Sequence, residues 1–171
     1  MNKSAIYKLS YGVYVVTTWN NGKATGCTAN SAMQITSSPA TIAVSINHDN
    51  FTNECIKETG VFAINILGEN CDPLVIGNFG FKSGRDTNKF ADYDALVRNY
   101  LPIVPAASAY ITCKVIDTME TSTHTVFLGE VTDADVLNDD NPMTYAYYHN
   151  VIKGKSPKNA PTYSGEKLNN M

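Results

Sequence analysis

The sequence predicts a mainly β protein whose strands are antiparallel, and an antiparallel barrel is the architecture it favours. Six or more apolar segments of strand length follow one another along the 171 residues, several of them separated by short turns. Only short segments between them have a helical pattern. A sheet of this size hides its exposed edges when it closes on itself, which favours a barrel.

The N-terminal segment "SAIYKLSYG" predicts a short amphipathic helix. Ser4 is expected to cap it, Ile6 and Leu9 to face the interior, and Gly12 to end it.

Strands dominate the next part of the chain. They are predicted over 12–19, 25–35 and 40–46, with an Asn-Gly turn and a Ser-Ser-Pro break between them. A helix over about 53–59 should end at Gly60, and "VFAINIL" follows it as a buried strand.

The second half of the chain alternates between loop and long strands. "DPLVIGNFG" predicts a helix, and residues 80–105 have the glycines and prolines of a long loop. "AYITCKVIDTME" and "HTVFLGEVTDADVL" predict two long antiparallel strands. A tail rich in Tyr, Lys and Pro begins at about residue 150, and the whole chain, 1–171, is expected to form a single domain.

Composition excludes several classes of function. A net charge of −3 argues against a nucleic-acid partner. No signal peptide and no run of 18 apolar residues is recognisable, so no membrane span is expected and a cytoplasmic location is predicted. The four cysteines form no CxxC pair and have no His at ligand spacing, so they are interpreted as reduced, buried thiols and no metal site is predicted.

One strand is unusually poor in large side chains. "TGCTANS", residues 25–31, consists of small and hydroxyl-bearing residues where an apolar strand should return from the turn. A strand of this kind gives up core packing, so another group must lie against it.

The junction "SINHDNFTNE" suits a phosphate. A helix that begins near Thr52 leaves its first backbone N–H groups unpaired, and Asn50 and Thr52 add side-chain donors. The alternative is that Asn50 or Thr52 serves only as a helix N-cap, and Glu54 in the first turn supports that alternative.

Two further features carry candidate binding groups. The loop with Lys82, Ser83, Arg85 and Lys89 offers positive charge for a phosphate, although charged loops are usually only solvated. His124 stands at the start of an apolar strand, where a polar ring often borders a pocket, and the alternative is a structural histidine.

Together these features match a flavin mononucleotide. Hydroxyl and amide groups suit the edge of a flat heterocycle, and a helix N-terminus with lysines suits its phosphate. There is no GxGxxG after a strand, no Walker loop, no HExxH and no GxSxG, which argues against Rossmann and phosphoryl-transfer enzymes.

The ordered motifs "GVYVVTT", "GCTANS", "SSPATIAVSI", "NFTNECIKETGVFAINIL", "FGFKSGRDTNKF" and "HTVFLGEV" carry a family resemblance. From about Lys8 to Val136 the chain resembles the flavin reductase-like family of FMN-binding split barrels. Within that family it is most similar to the flavoprotein part of the high-molecular-weight rubredoxins, whose tail resembles "YYHNVIKGKSPKNAPTY".

The resemblance implies a homodimer of Greek-key split β-barrels with a few short helices and with FMN near the subunit interface. His124 corresponds to a histidine near the flavin face, where a nicotinamide could stack, but Ser122 and Thr123 stand where many relatives have Gly-Asp. The implied cofactor-binding residues are Thr28, Ala29, Asn30, Ser31, Ser45, Ile46, Asn47, Asn50, Phe51, Thr52, Arg85 and Lys89.

The expected function is that of a flavoprotein oxidoreductase. It would accept a hydride from NADH or NADPH onto FMN and pass electrons to an acceptor such as a separate rubredoxin. Two alternatives remain open at this point: a flavin reductase for which FMN is a diffusing substrate, and a module that binds FMN without turnover.

Overall fold

A seven-stranded antiparallel sheet forms the body of the protein in a computed structural model that describes residues 1–163. The strands of the sheet are β1 (Tyr14–Asn20), β2 (Lys23–Ala29), β3 (Ala32–Ser37), β4 (Ala40–Asn47), β5 (Val61–Leu67), β8 (Ala107–Glu120) and β9 (His124–Val136). A separate hairpin consists of β6 (Leu96–Arg98) and β7 (Leu101–Ile103). The α-helices are α1 (Phe51–Thr59), α2 (Pro73–Phe81) and α3 (Tyr145–Asn150), and a 3-10 helix (Lys3–Lys8) precedes β1.

The order of the strands is that of a split barrel. They run β2-β1-β5-β8-β9-β4-β3 across the sheet, and β4, β5, β8 and β9 form a Greek key. The two edge strands, β2 and β3, are joined by only Asn30 and Ser31, so the two edges of the sheet must come together at this point. Because no ladder of hydrogen bonds joins β2 to β3, the barrel is split here. We call this place the corner, and the predicted fold class is confirmed.

Two apolar clusters hold the sheet in shape. One fills the interior of the barrel and includes Val16, Val44, Phe62 and Phe127. The other packs α2 and α3 against the outside of β1, through side chains that are almost fully buried: Val15, Val75, Phe79, Met143 and Tyr148. Burial of side chains of this size contributes about 1.5–3 kcal/mol each, so these clusters supply most of the driving force for folding.

The two α-helices nearest the corner have well-defined ends. Gly60 closes α1 with a φ of 69°, a conformation that glycine adopts without strain, and its N–H donates to the Ile56 carbonyl. Asp72 caps α2 by accepting a hydrogen bond from the Leu74 N–H, and Pro73 occupies the first turn. These ends fix where the loops toward the corner begin.

Three expectations about local structure were wrong. The N-terminal helix is a 3-10 helix capped by Asn2 rather than Ser4, and Ile6 and Leu9 are 48% and 61% exposed instead of facing the interior. The strand predicted over 25–35 is divided into β2 and β3, since the chain passes there from one edge of the sheet to the other. The loop over 80–105 contains the β6–β7 hairpin. Among residues 1–163, no helix is long and apolar enough to span a bilayer.

Candidate functional site

The corner brings together the strand ends that the sequence assigns to binding. Strand pairing places Asn47 opposite His124, at the end of β4 and the start of β9. Ser31 lies beside β4, since its hydroxyl donates to the Ser45 carbonyl at 2.8 Å and its own carbonyl accepts from the Ser45 N–H at 3.1 Å. Residues far apart in sequence therefore share one end of the barrel.

The small-residue strand has two different faces. Cys27 and Ala29 pack into the interior cluster, whereas the Thr28 hydroxyl donates to the Ile76 carbonyl of α2 at 3.3 Å. Gly84 lies so close to this strand that a Cβ there would be 2.5 Å from the Thr25 hydroxyl. The small side chains thus allow close approach of neighbouring backbone, and a flavin against this strand stays a prediction.

The N-terminus of α1 lacks a side-chain cap. Asn50 occupies the N-cap position, yet its side chain makes no capping hydrogen bond. Its carbonyl oxygen accepts from the Asn159 amide at 2.9 Å, and its own amide nitrogen lies 3.8 Å from the sulfur of Cys27. The capping role that the sequence left open is thus not filled, and no side chain caps the first turn of α1.

Thr52 and Cys27 form the floor beneath this helix end. Thr52 is only 2% exposed and lies beside the buried Cys27 thiol. Burial raises the pKa of Cys27 to about 11, and the neighbouring Thr52 opposes this shift. The thiol is therefore protonated and unreactive at neutral pH.

Arg85 lies at the same helix end. Its guanidinium stands over the Phe51 ring, 4.8 Å from the centroid, and pairs with the carboxylate of Glu54. Both side chains of this ion pair are about half exposed, so the pair adds little to stability. The structure therefore places one cation of the basic loop beside the start of α1.

Lys89 has a different environment from Arg85. Its side chain is 1% exposed, and its amine donates to the carbonyl of Asn78, at 2.7 Å, and to the carbonyl of Lys82. Burial lowers the pKa of Lys89 to about 8. These bonds satisfy carbonyls at the C-terminal end of α2, so a contact of Lys89 with a phosphate stays a prediction.

Two predicted residues of β4 have local roles. Ile46 is 1% exposed and its side chain belongs to the interior cluster, so only its backbone is free for other contacts. Asn47 accepts a hydrogen bond from the Asp49 N–H at 2.9 Å, which shapes the turn that leads into α1.

His124 is held by the residue before it. Thr123 Oγ1 lies 2.8 Å from Nδ1, so a hydroxyl contacts the ring where relatives would place a carboxylate. Burial lowers the pKa of His124, the backbone of Asn159 opposes this shift, and His48 adds slightly to it. A neutral ring whose Nδ1 accepts from Thr123 would carry its proton on Nε2.

Three buried polar atoms lack a hydrogen-bond partner in the part of the chain that the structure describes. They are the Thr25 hydroxyl near Phe51, the Asn30 carbonyl oxygen at the corner, and Nε2 of His124, which has the Asn159 backbone nearby but in poor hydrogen-bond geometry. An unpaired buried polar atom costs about 1–3 kcal/mol, so the free amide oxygen of Asn30 at the corner suits a ligand that supplies a donor. A flavin mononucleotide fits this set, because its ring edge offers partners for amide and imidazole groups and its phosphate suits the uncapped α1.

The C-terminal segment, 156–163, is the part of the site that sequence reasoning missed. The Thr162 hydroxyl accepts from the Asn30 amide at 2.9 Å, and Asn159 bonds to Asn50 as described. The run "PKNAPT" is polar and rich in turn formers, and the sequence predicts only a tail there. Its return to the corner depends on tertiary packing, so no local pattern indicated it.

The fold and the corner define a class of protein: an FMN-binding oxidoreductase domain of the split-barrel type. Residues 6–155 match the family described as "Flavin reductase like domain", and the chain belongs to this family. It is accordingly an NAD(P)H-dependent flavin reductase-like oxidoreductase that uses FMN.

Known relatives agree with this assignment. The chain is 43% identical over 166 residues to the "High molecular weight rubredoxin" of Moorella thermoacetica, which covers 96% of this chain and 72% of that protein. It is 40% identical over 165 residues to the "Ferric-chelate reductase (NAD(P)H)" of Archaeoglobus fulgidus, and the match covers 95% of this chain and 98% of that protein.

Solved structures show the same fold. The flavin reductase PheA2 superimposes with a TM-score of 0.69 at 30% identity, covering 83% of this chain and 89% of that one. The flavin reductase HpaC complexed with NADP+ superimposes with a TM-score of 0.72 at 25% identity, covering 84% and 90%.

Proposed function

We propose that the protein keeps FMN as a resident cofactor at the corner and passes electrons from NADH or NADPH to a separate small redox protein such as a rubredoxin. The observation that carries this proposal is the uncapped N-terminus of α1 together with the unpaired buried oxygen of Asn30, which the C-terminal segment joins at the corner. Both features suit a ligand that is flat and polar at one end and anionic at the other.

The chain supplies binding and orientation. FMN, when bound, accepts a hydride from the nicotinamide and passes electrons on singly or in pairs. The backbone N–H groups of α1 and the Arg85 guanidinium would hold the phosphate, while Asn30 would orient the ring edge. His124 would present a neutral imidazole next to the ring. Hydride transfer needs no side-chain acid or base, so geometry and electrostatics would determine its rate.

A resident cofactor predicts that the protein binds FMN more tightly than riboflavin, since only FMN has the phosphate that α1 and Arg85 would bind. Fluorescence titration of the apoprotein with the two flavins measures this difference. Equal affinities would contradict the phosphate assignment.

Gel filtration separates the proposal from its two alternatives. A resident FMN remains with the protein, whereas a diffusing substrate elutes separately. If FMN stays bound but NADH and NADPH are not oxidised, the protein is a binding module without turnover. The oxidation assay, run once with NADH and once with NADPH, gives the preference between the two nicotinamides.

A rubredoxin acceptor is supported by the name of the Moorella relative and by exposed charge near the corner. Lys153, Lys155 and Lys158 are all exposed, and they would attract an acidic partner at long range. One NADH yields NAD+, a proton and two electrons, which reduce two molecules of a one-electron carrier with a single iron. The contact would be small and transient.

The test is NADH-dependent reduction of purified rubredoxin, followed by its iron–thiolate absorbance, with and without this protein. Reduction should require the protein and should slow as salt rises. A ferric chelate serves as the competing acceptor, because the Archaeoglobus relative is named for that activity. If the chelate is reduced and rubredoxin stays oxidised, or if free reduced FMN does the work, the carrier proposal fails.

A homodimer is also proposed, and one outer face of the sheet supports it. Met33 of β3 and Met119 of β8 are 64% and 59% exposed, and strand pairing sets the partly exposed Ala43, Val126 and Leu128 between them. This mainly apolar stretch also includes Asp117 opposite Leu128, and it shares β9 with His124, so a second copy docked there would approach the corner. Light scattering measures the oligomeric state, and replacement of Met33 by Asp should produce monomers.

The predicted single domain and location belong to the same proposal. Asn159 and Thr162 of the tail bond to Asn50 and Asn30, which supports one domain over 1–171 with a tail from about 150. Cys27, Cys55, Cys71 and Cys113 are all buried and unpaired to one another, as expected in the reducing cytoplasm. Limited proteolysis tests whether the chain forms one domain. Thiol labelling of freshly purified, unfolded protein tests whether the four cysteines are reduced, as the predicted location requires.

A further inference from the structure

We propose that Asn159 is a positioning residue for the phosphate of FMN, and that it acts by holding Asn50 away from the N-terminus of α1. This inference rests on the proposed function, because it concerns the same site. Asn159 belongs to the C-terminal segment, 156–163, which crosses the corner from the side of β2 to the start of α1.

The first observation is the unused capping position. Asparagine is among the best N-cap residues, because its side-chain oxygen accepts a hydrogen bond from an N–H of the first helical turn. Asn50 stands at that position with an extended backbone, φ −77° and ψ 122°, yet its oxygen is bonded to the Asn159 amide instead. Its amide nitrogen points toward Cys27. Both ends of the side chain are therefore engaged away from the helix.

The second observation is that Asn159 is itself held in place from both sides. On one side, Pro157 packs on α2, where a Cβ on Gly80 would be 3.0 Å from the proline ring. On the other side, the Thr162 hydroxyl bonds to the Asn30 amide at 2.9 Å and to the Tyr145 hydroxyl at 2.8 Å. A segment fixed at two points keeps the intervening amide in a defined orientation.

The consequence concerns competition for the same donors. An Asn50 side chain released from Asn159 can rotate and cap α1, which removes an N–H group from the set that a phosphate would use. Riboflavin has no phosphate, so its binding does not depend on this competition. Loss of Asn159 should therefore weaken FMN binding selectively.

The experiment measures the ratio of riboflavin to FMN dissociation constants for the full-length apoprotein. Replacement of Asn159 by Ala should lower this ratio about three- to thirtyfold, the range that corresponds to one helix N-cap. Affinity for riboflavin should change less than about twofold. Asn141→Ala is the matched control, because Asn141 is exposed and the same substitution there removes no charge, and its ratio should equal that of the wild type.

A double-mutant cycle with Asn50→Ala tests the route through Asn50. Without the Asn50 side chain no cap can compete, so adding Asn159→Ala should leave the ratio unchanged. A further drop of this ratio in the double variant would mean that Asn159 contacts the phosphate itself, and it would overturn the inference. An equal loss of affinity for both flavins in Asn159→Ala would also overturn it. If the wild type shows no preference for FMN, the proposed function fails first; if it does and Asn159→Ala keeps that preference, only this inference fails.

Discussion

Two buried asparagines show how the middle of the sheet differs from the corner. Asn65, in β5, is fully buried and completely satisfied: its amide donates to the Val15 carbonyl and the Thr17 hydroxyl, and its oxygen accepts from the Val104 N–H. Asn30, at the corner, is 5% exposed, donates once to Thr162, and leaves its oxygen without a partner among the described residues.

The difference separates structure from function. A buried amide with every bond made reinforces the pairing of β1 with β5 and ties Val104 to them, whereas a buried amide with a free oxygen costs stability unless a ligand completes it. The same contrast distinguishes the two cations of the basic loop: Lys89 is buried against backbone carbonyls, and Arg85 is half exposed at the start of α1.

The largest expected effect is at Asn65. Replacement by Leu removes three hydrogen bonds and leaves a backbone carbonyl and a backbone N–H buried and unpaired, so unfolding free energy should fall by about 3 kcal/mol. Denaturant titration and calorimetry measure this loss, which corresponds to a decrease in Tm of about 6–12 °C. The protein that remains folded should bind FMN with unchanged affinity; weaker binding would place Asn65 in the site.

Lys89 should behave as a structural residue. In Lys89→Met the carbonyls of Asn78 and Lys82 lose their charged donor, so stability should fall by about 2 kcal/mol, measured in the same way. Arg85→Ala is the matched variant, with stability within about 0.5 kcal/mol of the wild type and weaker FMN binding. A loss of FMN affinity in Lys89→Met beyond that of Arg85→Ala would instead support the contact with phosphate that the sequence predicts.

Asn30 should give the opposite result to Asn65. Asn30→Leu keeps the size of the side chain and removes an oxygen that has no partner, so stability should stay within about 1 kcal/mol of the wild type. FMN binding should weaken by about 1–3 kcal/mol, because the ring edge loses its amide partner. Flavin titration of the variant decides the point, and undiminished binding would show that the free oxygen of Asn30 has no role toward the cofactor.

The smallest effect concerns pH. Burial lowers the pKa of His124 and of His149, so between about 6.5, their usual pKa, and the lower folded values the unfolded chain binds more protons. Stability contributed by these neutral rings is therefore present above pH 6.5 and is lost as the pH falls. In His124→Gln the decrease in Tm between pH 7 and pH 5 should be about 1–3 °C smaller than in the wild type. An unchanged decrease would mean that the imidazole of His124 is not desolvated.

Local patterns were sufficient for the elements that hold the sheet together. The apolar run "VFAINIL" and the two long strands after residue 107 appear where alternation and length predicted them, because burial on a sheet demands that pattern whatever the neighbours are. The 3-10 helix failed as an amphipathic prediction, since Ile6 and Leu9 have the right spacing but stay exposed, with no surface among residues 1–163 to bury them. Amphipathic spacing indicates that a residue could pack, and only the tertiary structure shows whether a surface is present for it to pack against.

By itself, the sequence determined the class of the fold, the residue types at the corner and, through ordered motifs, the family. The tertiary structure alone decided which of these residues are already used. Lys89 and Arg85 stand four positions apart in one loop, yet Lys89 is buried on backbone carbonyls and Arg85 is half exposed in an ion pair. Asn30 and Asn65 have identical side chains, yet Asn65 is satisfied by the protein and the Asn30 oxygen has no partner among the described residues. The physical reason is that hydrogen-bond partners are supplied by segments distant in sequence, as Val104 is for Asn65 and Asn159 is for Asn50, and no local pattern records which distant group arrives.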